Sequence, residues 1–319
     1  MQGSRIYRTA LLLAVCLLIA AAYVIIGLNE RNIGYNLPRR LHILVAMAII
    51  SLSLSWSAAS FQTITENNIL TPSLIGLDSL YLFIQTSVVY FFGAERLTAM
   101  NNIGDFLLTV AIMVVAASLL YSVMFKGRRG NIHFLVLLGL VAGQLFKAMS
   151  SFMQLRIDPN EFAVAQGKMF ASFNNLNLTL TGTAAVCVGI AFVISFFDFR
   201  RLDVLTLGRD QAVSLGVSYP GLVRRQLFMI AVMVSAATVL GGPVMFLSIF
   251  TVNAARHVYH TYRHFWVVLG TTVISLICLL AGQLAVERIL NFNVPSNVII
   301  NLVGGIYLLH LLLRQGRTA

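Results

Sequence analysis

Ten apolar runs, at 11–28, 41–61, 69–93, 106–125, 132–154, 176–197, 226–240, 244–255, 265–286 and 294–313, follow one another along a chain of 319 residues. A helix needs about 20 predominantly apolar residues to cross a hydrocarbon layer about 30 Å thick. Within that layer no water satisfies the peptide groups, so each run has to bond its own backbone and become a helix. The chain is therefore expected to be all-α, a polytopic membrane protein with about ten transmembrane helices forming a single transmembrane domain over 1–319. Composition closes off the alternative. With 58% hydrophobic and 10% charged residues, against about 25% charged in ordinary soluble domains, no soluble globular fold is open to it. Cys16, Cys187 and Cys278 each stand alone in an apolar run and make neither a disulfide framework nor a metal cluster by spacing.

The stretch from Gln226 to Ala255 carries no charge and is long for one helix and short for two. Gly241-Gly242-Pro243 interrupts it, and such a sequence ends helices. Charge parity decides for two. Ten spans put both termini on one side, with 14 of the 22 Lys and Arg residues in the loops of that side, 7 in the opposite loops, and Lys147 inside a span. Merging 226–255 into one span would set Arg224 and Arg225 across the membrane from Arg256, Arg263, Arg314 and Arg317 and erase most of the bias. The positive-inside rule makes the basic side cytoplasmic, both termini included, and 241–243 is expected to form a shallow hairpin at the external surface.

Most loops are short. The exception is the cytoplasmic segment 198–225, where Leu202 and Leu205, then Ala212 and Leu215, recur at helical spacing. Gly208 and Gly216 fall where two short helices would need C-terminal caps. Two short amphipathic helices outside the bilayer suit either a docking surface for a cytosolic protein or a connector resting on lipid.

Catalytic patterns are missing from the sequence. No GxxxxGK[ST] loop precedes Lys126, Lys147 or Lys168, no aspartate pair has DxxD spacing, and none of the six histidines belongs to an HExxH motif. The chain is expected to be no enzyme and to bind no cofactor or metal itself. Lys147 and Asp78 are the only ionisable acid and base well inside the runs, and a charge at that depth is a functional hypothesis. Each also has a plain reading. Lys147 can snorkel to the headgroups, and Asp78, following Pro72, can favour the positive end of a helix dipole.

Four motifs in order resemble the FecCD-type permeases, the transmembrane subunits of ABC importers for iron chelates, haem and vitamin B12. They are Leu37-Pro38-Arg39 with Ser57-Ala58, Gln62, Glu66-Asn67-Asn68-Ile69, Pro72 and Ile75-Gly76; then Leu207-Gly208, Gln211-Ala212 and Ser214-Leu215-Gly216-Val217; then Gly242-Pro243-Val244, Phe246 and Arg256; then Val294-Pro295, Gly304-Gly305 and Leu311 to Arg314. The departures are informative too. Val252-Asn253 stands where most members have Pro-His, and Glu66-Asn67-Asn68 where they have Arg-Asn-Pro. With NNILTPSLIGLDSLYLFIQT these changes look like the paired permeases for catecholate-type ferric siderophores.

The resemblance implies a permease of the bacterial inner membrane that moves a ferric siderophore. Its partners would be a second, related permease in a heterodimer, a cytosolic ATPase that uses the ATP, and an extracytoplasmic siderophore-binding protein. It nominates Lys147, Ser150 and Ser151 for the substrate pathway, with Asn174 and Asn175 near the outer mouth. Leu205, Leu207, Gly208, Ala212, Leu215 and Gly216 would couple to the ATPase, and Arg39, Arg40 and Arg288 would dock the binding protein. The alternatives are the same importer class carrying haem or vitamin B12, or a secondary transporter driven by an ion gradient, for which Asp78 is the one acid available.

Overall fold

The computed structural model describes residues 2–26, 33–126, 132–169, 173, 176–291 and 294–315. Among them the chain forms thirteen α-helices: α1 (Gln2–Ile25), α2 (Ile33–Ile64), α3 (Asp78–Ala99), α4 (Ile103–Lys126), α5 (Ile132–Gln154), α6 (Pro159–Met169), α7 (Leu178–Phe196), α8 (Phe199–Leu205), α9 (Arg209–Ser214), α10 (Tyr219–Gly241), α11 (Leu247–Tyr259), α12 (His264–Arg288) and α13 (Ser296–Gln315). Each of the ten apolar runs coincides with a helix. Eight of these are long and apolar enough to cross a membrane, namely α1, α2, α3 with the turn before it, α4, α5, α7, α10 and α12. The other two are shorter: α11 has 13 residues and the apolar part of α13 is Ser296–Leu309.

Helices α2, α10 and α12 form the centre, with α2 packed along both of the others. Their inward faces explain why. From Ser51 to Ser60 helix α2 presents Ser51, Ser53, Ser55, Ser57, Ala58, Ala59 and Ser60, all buried, and small side chains let helix backbones approach closely where lipid offers no hydrophobic drive for association. Trp56 fills the remaining space, edge-on to Phe199 of α8 at 4.6 Å between ring centroids. Helices α1, α4, α5 and α7 are peripheral and keep broad apolar faces exposed, including Leu17, Leu18, Leu119, Leu145, Val186 and Ile190.

Two helix breaks shape the bundle. A π-helical turn, Ser73–Leu77, leads into α3 with Gly76 at φ 109°. A Cβ at Gly76 would stand 2.7 Å from the Cα of Gly143, so this turn rests backbone to backbone on α5. The second break is Gly241-Gly242-Pro243. Gly242 adopts φ 78° and its N–H donates to the Thr238 carbonyl at 2.8 Å. The sequence places this break at the surface. Instead residues 241–244 are buried, with Ile50 and Phe173 against Gly241. The buried backbone remains partnered, since the Phe246 N–H reaches Asn301 Oδ1 as well, and partnered irregular backbone is tolerated inside a protein.

The break also sets the direction of α11. The start of α10 and the end of α11 lie at the same end of the bundle as α8 and α9: Arg225 binds Asp198 just before α8, and Arg256 lines a cleft with Leu205 to Gly208. The two-element reading of 226–255 therefore holds.

Candidate functional site

Helices α8 and α9 are laid across one end of the bundle, and buried polar groups pin them there. Asp198, 1% exposed, accepts from Arg225 Nε at 2.7 Å, Gln226 Nε2 at 2.9 Å and Arg201 Nη1 at 3.0 Å. Its charge is therefore fully hydrogen-bonded, the condition under which a buried carboxylate is tolerated. At the other end of α8, Asp203 Oδ1 lies 2.7 Å from the backbone N of His264 and 2.8 Å from its Nδ1, while His264 Nε2 lies 2.9 Å from Thr63 Oγ1. The buried imidazole thus joins α8, α12 and α2. Glu66 Oε1 accepts from the Arg209 N–H at 3.1 Å and ties the end of α2 to α9.

One of the two glycines caps the end of its helix as expected. Gly216 at φ 85° follows α9, its N–H bonding Val213 and that of Val217 bonding Ala212, which is the Schellman arrangement. Gly208, expected to cap the end of α8, instead has φ 100° as the N-cap of α9, and Thr206 is the C-cap of α8.

The six nominated coupling residues divide. Leu205 and Ala212 are 1% and 0% exposed and belong to the core, whereas Leu207 and Leu215 are 56% and 65% exposed. Exposed Val213 adds to the outer surface, and a shallow groove runs along Leu207, Asp210, Gln211, Ser214 and Leu215. The inward residues anchor the segment and the outward ones are available to a partner. Leu205 is thus corrected from contact residue to anchor, because Trp56, Phe199 and the central helices occupy that side of α8.

Beside this segment opens a cleft of about 600 Å³, walled among others by Gln62, Glu66, Asn68, Leu205 to Gly208, Arg256 and His264. Here the two departures from the family pattern meet. Asn253 Nδ2 donates to the Asn68 carbonyl at 3.1 Å, Gln62 Nε2 donates to the same carbonyl at 2.7 Å, and Arg256 donates to Asn68 Oδ1. This junction was not nominated from the sequence. The paired departures at 66–68 and 252–253 were the signal for it.

On α5 the pathway residues also divide. Lys147 and Ser151, four apart, share an exposed face with Gln144, while Ser150 is 4% exposed and turns into the protein. A lysine and a glutamine exposed on an apolar helix are costly against lipid. Asn174 and Asn175 lie outside the described residues. Asp78 is 1% exposed, so it does not share the exposed face of Lys147.

At the opposite end Arg40 caps α1. Its Nη1 donates to the carbonyls of Tyr23 at 2.8 Å, Val24 at 3.2 Å and Ile26 at 2.6 Å, and its Nη2 pairs with Glu287 at 2.5 Å. The last carbonyls of a helix lack intrahelical partners, and a guanidinium fork supplies them. With 9% exposure and every contact internal, Arg40 is better placed to hold the bundle than to meet a docking protein. Arg288 is exposed and donates to Ile26 O, and Arg39 is exposed.

The sequence pattern of the FecCD transport family matches residues 31–314. The chain is 44% identical over 308 residues, 95% of this chain and 98% of the other, to the petrobactin import system permease protein YclO of Bacillus subtilis (strain 168). It is 34% identical over 277 residues, covering 87% of this chain and 78% of the other, to the petrobactin import system permease protein FatC of Bacillus anthracis. A solved metal-chelate type ABC transporter in an inward-facing conformation has the same fold, with a TM-score of 0.82 over 97% of this chain and 99% of that one at 18% identity. A match through both helix breaks, the α8–α9 segment and the closing helix leaves one conclusion: the chain belongs to the FecCD transport family.

Proposed function

We propose that this chain is the membrane permease subunit of an ATP-driven importer for a ferric siderophore of catecholate type, with petrobactin, named for the relatives, as the leading candidate. The observation that carries this reading is the α8–α9 segment, rigidly joined to α2, α10 and α12 on its inner side and apolar at Leu207, Val213 and Leu215 on its outer side. A push on the outer face is transmitted through Asp198, Asp203 and Glu66 to the central helices, the two-state element that nucleotide binding would bias. The exposed strip of Gln144, Lys147 and Ser151 would face a second permease subunit across the pathway, where a polar side chain meets water or substrate instead of lipid. The α8–α9 end is cytoplasmic in this reading, with both termini on that side.

The test is uptake of radiolabelled ferric petrobactin into proteoliposomes containing the permease pair, its ATPase and its binding protein. Accumulation should require ATP on the α8–α9 side and should persist when proton and sodium gradients are collapsed. Uptake that follows an ion gradient without ATP would refute the reading.

Docking of the binding protein should depend on Arg39 and Arg288, not on Arg40. An exposed ion pair contributes about 0.2–1 kcal/mol, and reversing the charge adds repulsion. Arg39→Glu is expected to lower the binding protein's affinity about threefold to tenfold with the melting temperature unchanged. Arg40→Glu should instead lower the folded yield, since it uncaps α1 and faces Glu287, and breaking a buried pair costs about 3–5 kcal/mol. Equal affinity for wild type and Arg39→Glu at low salt would remove Arg39 from the docking surface.

A further inference from the structure

The start of α1, the end of α11 and the start of α12 meet at the α8–α9 end of the bundle. Helix α1 packs along α12. Thr9 Oγ1 lies 3.0 Å from Tyr259 Oη, and Arg8 donates to Val258 O and lies 3.4 Å from His260 Nδ1. Arginines outnumber acids at this corner. Residues 1–29 and 211–286 contain no Asp or Glu, and Arg5, Arg8 and Arg263 make no ion pair among the described residues. The acids that approach it come from α2 and α8: Glu66 shares the neighbouring cleft with Arg256, and Asp203 accepts from the backbone N–H of His264. Arg5, Arg8, Arg256 and Arg263 against Glu66 and Asp203 leave a surplus of two positive charges with the histidines neutral. The same corner is apolar toward the bilayer. Ile6, Tyr7 and Leu11 of α1 are exposed, as are Tyr262 and Phe265 at the start of α12, and Trp266 stacks on Tyr259 with ring centroids 6.2 Å apart. Tyr and Trp rings at the end of a spanning helix sit at the level of the lipid headgroups, so these arginines stand at headgroup depth with hydrocarbon beside them.

We propose that this corner binds the headgroup of an anionic phospholipid from the leaflet on the α8–α9 side, with Arg5, Arg8 and Arg263 as its charged contacts. A phosphate supplies the negative charge that the corner lacks, and its oxygens accept guanidinium N–H groups in charge-assisted hydrogen bonds. The acyl chains lie along the exposed apolar face of α1. A soluble anion or an acidic protein segment would answer the charge and leave that face unused, whereas a phospholipid answers both. Bound there, it ties the peripheral α1 to α11 and α12.

The test places the permease pair in phosphatidylcholine nanodiscs with a trace of photoactivatable phosphatidylglycerol or photoactivatable phosphatidylcholine, and maps the cross-links. Phosphatidylglycerol should label the segments 2–11 and 256–266 at least about fivefold more than phosphatidylcholine. Arg5 is half-exposed and Arg263 exposed, so their substitution costs little stability. Arg5→Gln and Arg263→Gln should each lower the phosphatidylglycerol labelling about fivefold, and the double variant should lower it further. Arg263→Lys keeps the charge and should keep the label within about twofold. Arg224→Gln, which removes one charge from the same end of the bundle on α10, should leave it unchanged. Equal labelling of the corner by the two lipids would overturn the proposal. An equal loss in Arg224→Gln would reduce the preference to the general charge of this surface and overturn it too. Displacement of the label by glycerol phosphate would make the corner a site for soluble anions, and displacement by the ATPase would assign it to that interface; either result overturns the lipid assignment.

Discussion

Leu205→Asp and Leu215→Asp are expected to fail in different ways, although both put an acid at an apolar position of the same short segment. Leu205 is 1% exposed beneath α8, in the core that also contains Leu202, Ala212 and Trp56. Aspartate there forfeits about 2–3 kcal/mol of burial and leaves a carboxylate without donors, which costs several kcal/mol more, roughly. A loss of that size is a large fraction of the stability of an ordinary domain, so the variant should melt many degrees lower in detergent or be lost during purification. Leu215 is 65% exposed, and surface substitutions of this kind change stability by about 0.5 kcal/mol or less. Its variant should purify as a folded permease that has lost its ATPase. A buried interface anchor contributes about 2 kcal/mol, roughly a thirtyfold change in dissociation constant. Thermal denaturation followed by size exclusion, and ATPase binding by surface plasmon resonance, separate the outcomes. A Leu215→Asp permease that keeps full ATPase affinity would show that the outer face of α9 is not the coupling surface.

Lys147→Glu should produce the largest loss of transport without loss of folding. The side chain is exposed on α5 beside Gln144 and Ser151, so changing its charge disturbs no core packing. A catecholate complex of ferric iron is anionic. At about 8 Å and an effective dielectric near 20, a single charge pair is worth about 2 kcal/mol, and reversing one charge doubles the difference. Uptake by Lys147→Glu should fall at least about tenfold at a substrate concentration below saturation, while Lys147→Arg stays within about twofold. ATPase binding should be unchanged in both. Normal uptake by Lys147→Glu would mean that the lysine only reaches the headgroups, and would remove α5 from the pathway.

The ten apolar helices and their places in the chain were determined by the sequence alone, because hydrocarbon leaves an apolar run no alternative to bonding its own backbone; the polar α6 lies outside those runs and was not foreseen. Even local details followed. Gly216 marks the end of α9 because positive φ is open to glycine without strain, and Gly241 to Pro243 separates α10 from α11 as the turn chemistry requires. What only the tertiary structure decided is which way side chains of the same kind face. Leu205 and Leu215 are both leucines at helical spacing, and one is anchor and the other surface because the phase of each short helix is set by what lies beneath it, Asp198 and Asp203 fixing α8 and Glu66 holding α9. Arg40 follows Arg39 directly yet turns inward, since α1 ends with unpaired carbonyls within its reach. Ser150 and Ser151 part for the same reason, neighbours on a helix standing about 100° apart around its axis. Burial of the Gly-Gly-Pro break likewise depended on long-range contact, with Ile50 of α2 and Phe173 closing over Gly241. Hydropathy and turn residues act through near neighbours and the surrounding solvent and can be read along the chain, whereas facing and depth depend on contacts between residues distant in sequence.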